Sequence, residues 1–335
     1  MKRLFCYTVL FLLIPKLLFC IQGQVLELPP GPWFTGSLLS PAGETVSQGH
    51  VNLEPYLAVG GSKGIYDEHW KIRHSDTFIS TSVLVLAQVG ITSFMDFQIF
   101  PQAVYNHVVN QNSVGFSDLP VQLNFQLYEA EKEEWCPNVK LALTEIFPTG
   151  RYNKLNPKKL GTDATGQGSY ITSLGLVFSK IIKCGGPHFL RVRAASTYSL
   201  YSAVEVEGFN SFGGGYKTKG KVYPGAQFST VIGFEYTPAL NWGFAFDILG
   251  ITGKGNRFVA REGSPRQGLQ SSGGAFTLFN NQSATNKSFE FLSLAPALEY
   301  NFTANVGIIA GVWFTVLGRN TAQFVDGLVA VNMYF

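Results

Sequence analysis

Five histidines, His50, His69, His74, His107 and His188, are the side chains best suited to acid–base or metal chemistry in this 335-residue chain. His69 and His74 stand five apart, with Asp67, Glu68 and Asp76 beside them. Carboxylates and imidazoles this close could hold a divalent cation. The same cluster fits a solvated loop, which is how we read it, so no metal site is expected. A hydrolytic His–Ser pair two residues apart is missing, because His107 is followed by Val108-Val109. Gly253-Lys254 lacks the glycine that a phosphate-binding loop needs five residues earlier, where Ile248 stands. These residues build no catalytic constellation, and neither an enzyme nor a cofactor is expected.

A different set of polar residues sits at regular spacing. From Val121 to Tyr128, Val121, Leu123, Phe125 and Leu127 share one face, and Gln122, Asn124 and Gln126 share the other. Such period-2 alternation marks strands with one apolar face. It recurs over about 50–60, 77–89, 94–106, 117–130, 138–147, 169–183, 188–202, 223–237, 242–253, 288–301, 304–316 and 321–335. Each segment reaches the 9–11 residues that a tilted strand needs to cross a bilayer. The connections mostly alternate long and short, with 317–320 short where a long one is due. Bacterial outer-membrane barrels have this alternation and an even strand number. The expected fold is all-β, a transmembrane antiparallel up-and-down β-barrel of about 12 strands, with 10 to 14 compatible.

Composition agrees. Charged residues make up 14% of the chain, against about 25% in soluble domains. The 28 Phe, 14 Tyr and 5 Trp exclude a disordered chain. Beyond residue 23 no apolar run is long enough for a membrane-spanning helix. A net charge of +3 gives no sign of a nucleic-acid partner.

If the apolar face meets lipid, the alternate face lines a lumen. That register places inward Glu54, Asp96, Gln98, Gln122, Asn124, Gln126, Lys140, Arg191, Arg193, Glu235, Asp247, Glu299 and Asp326. Six acids against three bases imply interior ion pairs. These groups could simply stiffen the wall, or Arg191 and Arg193 could form a basic strip selecting anionic or polar solutes.

Residues 1–23 read as a secretory signal, with Lys2 and Arg3 before an apolar stretch and Gly23 near the cut. A lipoprotein signal at Leu17-Leu18-Phe19-Cys20 fits less well, because Phe precedes the Cys. Residues 24–49 contain Pro29, Pro30, Pro32 and Pro41 and show no periodicity. This segment could fold back as a plug, with Leu26, Leu28, Trp33, Phe34, Leu38 and Leu39 available to an apolar substrate. A periplasmic lead without a role fits equally. The barrel is then 50–335. Cys136 and Cys184 flank two neighbouring strands, and their numbers sum to 320, near the register implied by a loop centred at 158. Facing positions lie within disulfide range, so a Cys136–Cys184 bridge is expected. Val329, Val331, Met333 and Phe335 share one face at the C-terminus and look like the signal read by the outer-membrane assembly machinery.

Several stretches carry a family resemblance: Pro32-Trp33-Phe34-Thr35-Gly36, Glu54-Pro55-Tyr56, Asn156-Pro157-Lys158-Lys159-Leu160-Gly161-Thr162-Asp163, Gly208-Phe209-Asn210, Val222-Tyr223-Pro224-Gly225, Leu294 to Asn301, and Gly311-Val312-Trp313-Phe314. They resemble a family of uncharacterised Gram-negative outer-membrane barrels. That family is similar to barrels associated with phenol degradation and, distantly, to the long-chain fatty-acid channel group. The resemblance implies passive uptake of small apolar solutes through a plugged barrel, with outer-membrane lipid and an unidentified small-molecule solute as partners. It carries over no binding residues. An outer-membrane location with both termini periplasmic follows as an expectation. A surface-interaction barrel, adhesin-like and binding a partner through long loops such as 254–287, is the alternative.

Overall fold

The computed structural model describes residues 32–130, 135–264 and 286–335. The expected signal peptide, residues 24–31 and most of loop 254–287 lie outside the described residues.

The strands are β1 (Val51–Tyr66), β2 (Ile72–Thr92), β3 (Met95–Ile99), β4 (Gln102–Val108), β5 (Gln111–Phe116) and β6 (Leu119–Tyr128). They continue with β7 (Asn138–Phe147), β8 (Ile171–Gly185), β9 (His188–Tyr201), β10 (Val204–Glu207), β11 (Lys219–Tyr223) and β12 (Gln227–Ala239). The last are β13 (Trp242–Gly253), β14 (Arg257–Ala260), β15 (Phe289–Asn301), β16 (Val306–Arg319) and β17 (Thr321–Tyr334). All pairings between them are antiparallel. β1 pairs with both β2 and β17, which closes the sheet into a twelve-stranded barrel. Closure removes the unpaired edges that lipid could not satisfy. At the seam, Val51 and Phe335 exchange backbone hydrogen bonds of 3.0 and 2.9 Å.

Twelve strands come from fourteen segments because two strands are broken. β3 and β4 both pair with β2 and form one strand interrupted at Pro101, which has no N–H to donate. β5 and β6 form the next, interrupted at Ser117-Asp118. Above that break β5 pairs only with β4, and its other edge has no strand partner. Loop 148–170 covers the place. Asn156-Pro157-Lys158-Lys159 opens a short 3₁₀ turn ended by Leu160 at φ 53°. The turn seats Thr162 against Asn106, whose amide donates to the Thr162 carbonyl at 3.0 Å. The buried Asp118 carboxylate accepts the backbone N–H groups of Gly150 (2.9 Å) and Gln167 (2.8 Å) from the two ends of the same loop. Losing a buried acceptor shared by two donors costs about 1–3 kcal/mol. Asp118→Ala is therefore expected to loosen the loop, seen as faster tryptic cleavage at Arg151 and Lys154 while the barrel itself stays folded.

Two connections expected to be long are strand instead. Residues 61–66 and 72–76 pair across a five-residue turn at 67–71, and β4 and β5 meet at a turn over 109–110. β2 alone has 21 residues, or roughly 70 Å at the usual rise, far beyond a hydrocarbon band of about 25 Å. These strands project past the membrane, so their polar tips end in turns where sequence patterning suggests loops. Asp67 fixes one such turn, accepting from the backbone of His69 and Lys71 and from Arg73 Nε at 2.8, 3.0 and 3.1 Å. These hydrogen bonds, the one from Lys71 first, hold its carboxyl below the ordinary aspartate range. The Asp67 carboxylate is thereby committed to the turn.

Beyond the long-loop rim, β10, β11 and β14 form a separate three-stranded sheet over Val204, Val206, Phe212 and Val222.

The expected disulfide is not formed, and Cys136 and Cys184 are both exposed. The register explains why. Asn138 faces Ser179 and each later pair keeps that sum of 317, so Cys184 lies three residues beyond the position facing Cys136.

Candidate functional site in the barrel lumen

Alternation along the strands turns one residue in two inward. The thirteen polar residues expected in the lumen are all buried or half-buried. Asp96, Asn124, Glu235, Asp247 and Glu299 are fully buried, and Lys140 and Arg193 nearly so. Their outward neighbours are the exposed apolar residues, such as Leu123, Phe228, Phe244, Phe246, Val325 and Val329. Outward charges lie at strand ends, where Arg319 Nε donates to Glu290 at 2.6 Å.

Arg191 and Glu235 are directly opposed on β9 and β12, and Arg193 faces Gly233 two pairs further along. Glu235 lies 2.7 Å from Arg193 Nε and 3.7 Å from Arg191 Nη1. Neither contact is aligned as a hydrogen bond, so they are ionic contacts of one acid with two bases. On the opposite wall Asp96 accepts from Gln88 at 2.8 Å and from Asn124 at 2.7 Å. Glu54 accepts from Asn52 at 2.9 Å, from Tyr56 at 2.8 Å and from Asn332.

Two of the three remaining acids, Glu299 and Asp247, are met by the N-terminal segment. Thr35 N–H donates to Glu299 at 3.0 Å, and Ser37 Oγ and the Leu39 N–H both donate to Asp247, the latter at 3.0 Å. Arg193 Nη1 donates to the Ser40 carbonyl at 3.0 Å. The Glu44 side chain accepts from Asn138 at 2.7 Å, and its carbonyl accepts from Lys140 at 3.2 Å. Thr45 N–H reaches Gln126 at 2.8 Å, and Val46 N–H reaches Asp96 at 3.0 Å. Gln48 then bridges to Gly90. Taken in chain order, these contacts step from β15 through β13, β9, β7, β6 and β3 to β2. Residues 34–48 thus run around the inner wall as a belt, near the rim of the short turns. The surplus of inward acids is satisfied mainly by peptide N–H groups and side-chain amides rather than by bases.

Of the possible substrate contacts in this segment, Leu38 is buried, while Trp33, Phe34 and Leu39 are partly so. The Phe34 ring lies 4.2 Å beneath the Arg191 guanidinium, a cation–π contact. Arg191 is therefore occupied from two sides and is not a bare basic strip.

Sequence patterning misses the other half of the lumen. Phe289, Phe291, Trp313, Phe324 and Leu328 also point inward and join Tyr56, Leu84 and Leu38 in one buried cluster. Trp313 stacks edge-on against Phe324 at 4.7 Å, Phe291 does so at 6.1 Å, and Trp313 Nε1 donates to Ser293 at 2.9 Å. These strands are apolar on both faces over their long-loop halves, so alternation assigns the lipid side and is silent about the other. On β15–β17 the inner face is therefore polar beside the short-turn rim and aromatic towards the long loops, while on β2, β4 and β8 it stays polar there, as at Ser82, Asn106 and Ser173.

No family model matches the sequence, and no curated protein matches it. Among solved structures, an outer-membrane channel from Pseudomonas putida F1 superimposes with a TM-score of 0.63 at 13% identity, covering 92% of this chain and 100% of that one. The likeness is one of fold, a closed antiparallel β-barrel. The translocator domain of the autotransporter NalP from Neisseria meningitidis covers 85% of this chain and 88% of its own at 9% identity, with a TM-score of 0.45. The CymD monoaromatic hydrocarbon channel covers 87% and 89% at 11% identity, with a TM-score of 0.33.

Among the described residues no group of His, Cys, Asp and Glu is arranged to hold a metal ion.

Proposed function

We propose that the chain is a passive channel in a Gram-negative outer membrane, with both termini periplasmic and the long loops outside, and that it admits small apolar solutes. The observation that carries this reading is the inward cluster of Phe291, Trp313 and Phe324, an apolar surface inside a barrel whose other inward half is charged. Aromatic rings offer flat solutes edge and face contacts without hydrogen-bond demands. The belt of residues 34–48 would restrict the short-turn end against ions and water, and the rings, buried against one another and against Leu38, would part to admit an apolar solute. Seven of the thirteen inward polar residues, Asp96, Gln126, Lys140, Arg191, Arg193, Asp247 and Glu299, serve to seat that belt. Met333 and Phe335, on the outward face of the closing strand, would be read by the assembly machinery. Residues 1–23 would be removed on export.

Intrinsic fluorescence of the purified barrel, titrated with naphthalene and separately with glucose, tests the reading. A saturable change with naphthalene alone is expected, abolished in Phe291→Ala/Phe324→Ala and diminished in Trp313→Phe. Saturation by glucose, or naphthalene binding indifferent to these residues, would sink it. A second reading, a surface-interaction barrel, draws support from the folded sheet β10–β11–β14 beyond the long-loop rim. A barrel that passes no solute but captures a partner through that sheet would favour it.

A further inference from the structure

The sheet β10–β11–β14 buries one face over its own small core and leaves the other uncovered. On the uncovered face Glu205 and Glu207 lie beside Lys221 and Lys219, and Tyr223 and Lys221 lie beside Arg257 and Val259. Glu205 is engaged by Arg261 at 2.8 Å and Glu207 by Lys154 at 3.2 Å. Lys154 chiefly, helped by Lys219 and Arg261, holds the Glu207 carboxyl below its ordinary range, the mark of a positive local field. Among the described residues no acid forms an ion pair with Lys219, Lys221 or Arg257, and residues 265–285 contain no acid. The Tyr223 ring lies 4.3 Å from the Arg257 guanidinium and 5.7 Å from the Lys221 ammonium, so one aromatic plane positions two cations side by side.

The charge is concentrated at this end of the molecule. Segments 148–170, 202–226 and 254–288 hold twelve basic and four acidic residues, whereas the whole chain is only +3. A barrel embedded in lipid has no electrostatic reason to gather cations on one rim unless something anionic lies there.

We propose that the Lys219–Lys221–Tyr223–Arg257 face binds the phosphorylated sugar headgroup of lipopolysaccharide in the surrounding outer leaflet. Arg257 offers a planar fork to a phosphate monoester and Lys221 a point charge beside it, while Tyr223 keeps the guanidinium oriented and presents a flat surface to the sugar. Such a contact would anchor the long loops to the leaflet they emerge into. The inference rests on the outward placement of those loops proposed above.

The test uses the full mature chain in neutral detergent, titrated with bis-phosphorylated lipopolysaccharide and with the same lipid after enzymatic dephosphorylation. Binding is expected to weaken by about tenfold or more on dephosphorylation, on adding salt, and in Lys221→Glu/Arg257→Glu. The variant must keep the heat-dependent gel shift of a folded barrel; if it does not, Lys221→Gln and Arg257→Gln singly replace it, with smaller losses expected. Equal binding of the dephosphorylated lipid, or folded variants that bind like the parent, would overturn the proposal. Soluble polyglutamate that binds more tightly than the lipid would also overturn it by assigning the face to an acidic protein. Orientation is read separately, by labelling Tyr216→Cys on intact cells with a membrane-impermeant maleimide. Absence of label there would remove the outward placement, whatever the detergent titrations give.

Discussion

Replacing Gly90 by valine is expected to open the barrel nearly as far as deleting residues 33–47. Gly90 sits on β2 near the short-turn rim, where the incoming segment passes closest to the wall. A Cβ at this position would meet the backbone carbonyl of Ser47 and lie against that of Val46. The obstructing atoms are main chain, so no rotamer change relieves the clash, and the local hydrogen bonds leave little slack. Gly49 N–H donates to the Gly90 carbonyl and Gly90 N–H to the His50 carbonyl, both at 3.0 Å. A valine side chain there forces residues 46–49 off the wall. With them goes the Val46–Asp96 bond, and the Thr45–Gln126 and Glu44–Lys140 bonds weaken next. Valine suits a strand, so the barrel itself should assemble. Single-channel recording should show several-fold higher conductance for both Gly90→Val and the deletion than for the parent. Gly233 offers a second point of attack, since a Cβ there would collide with the Ser40 hydroxyl; that is a rotatable group, so a smaller effect is expected. If the deletion leaves conductance unchanged, the belt does not limit flow, and the lead-without-role alternative for residues 24–49 stands.

The sequence discloses the barrel because lipid imposes a rule that each strand must obey separately. Outward positions must be apolar, and Val121, Leu123, Phe125 and Leu127 announce it within a single strand. The strand break at Pro101 is hidden because the period-2 pattern continues across it, whereas at Ser117-Asp118 the inward face shifts from odd to even positions, so β5 reads as a connection. The aromatic half of the lumen is hidden for the opposite reason. Phe289, Phe291 and Phe324 are inward on strands whose outward face is also apolar, and periodicity vanishes when both faces are alike. One signal was available: Trp313 and Phe324 fall on the register that also carries Ser293, Thr315 and Asp326. The disulfide expectation fails on a three-residue offset: a loop centred at 158 implies a pairing sum near 316, the strands keep 317, and Cys136 with Cys184 sums to 320. The belt's path depends on contacts across more than 200 residues, such as Thr35 with Glu299, and composition indicated only that residues 24–49 were not strand.

The inward charges make the second large effect an energetic one. Glu235→Ala is expected to destabilise the barrel by about 3–5 kcal/mol, because it leaves Arg191 and Arg193 in the wall without their shared acid. Arg193 is 3% exposed and Glu235 wholly buried, so water cannot take over the lost contact cheaply. The neighbours are small where the charges are large: Gly233 and Ala245 stand beside Glu235 in the ladder, and Ala295 faces Asp247. Among the described residues Glu235 forms the ion pairs with both arginines, and the next acids, Glu44, Glu299 and Asp247, are engaged by Asn138, Thr35, Ser37 and Leu39. Glu235→Gln keeps the shape and loses the charge, and should cost less. Removing the acid with one base, in Glu235→Gln/Arg191→Gln, should cost less than the sum of the single changes, since Arg193 alone is then left without its acid. Denaturant titrations of the barrel in lipid vesicles, read by the heat-dependent gel shift, measure all three. Conductance supplies an independent check, because Arg193 also holds the Ser40 carbonyl and a displaced Arg193 should loosen the belt. If Glu235→Ala is as stable as the parent and as tightly sealed, the charges do not hold wall and belt together. The six inward acids would then have to be explained by what they offer a passing solute.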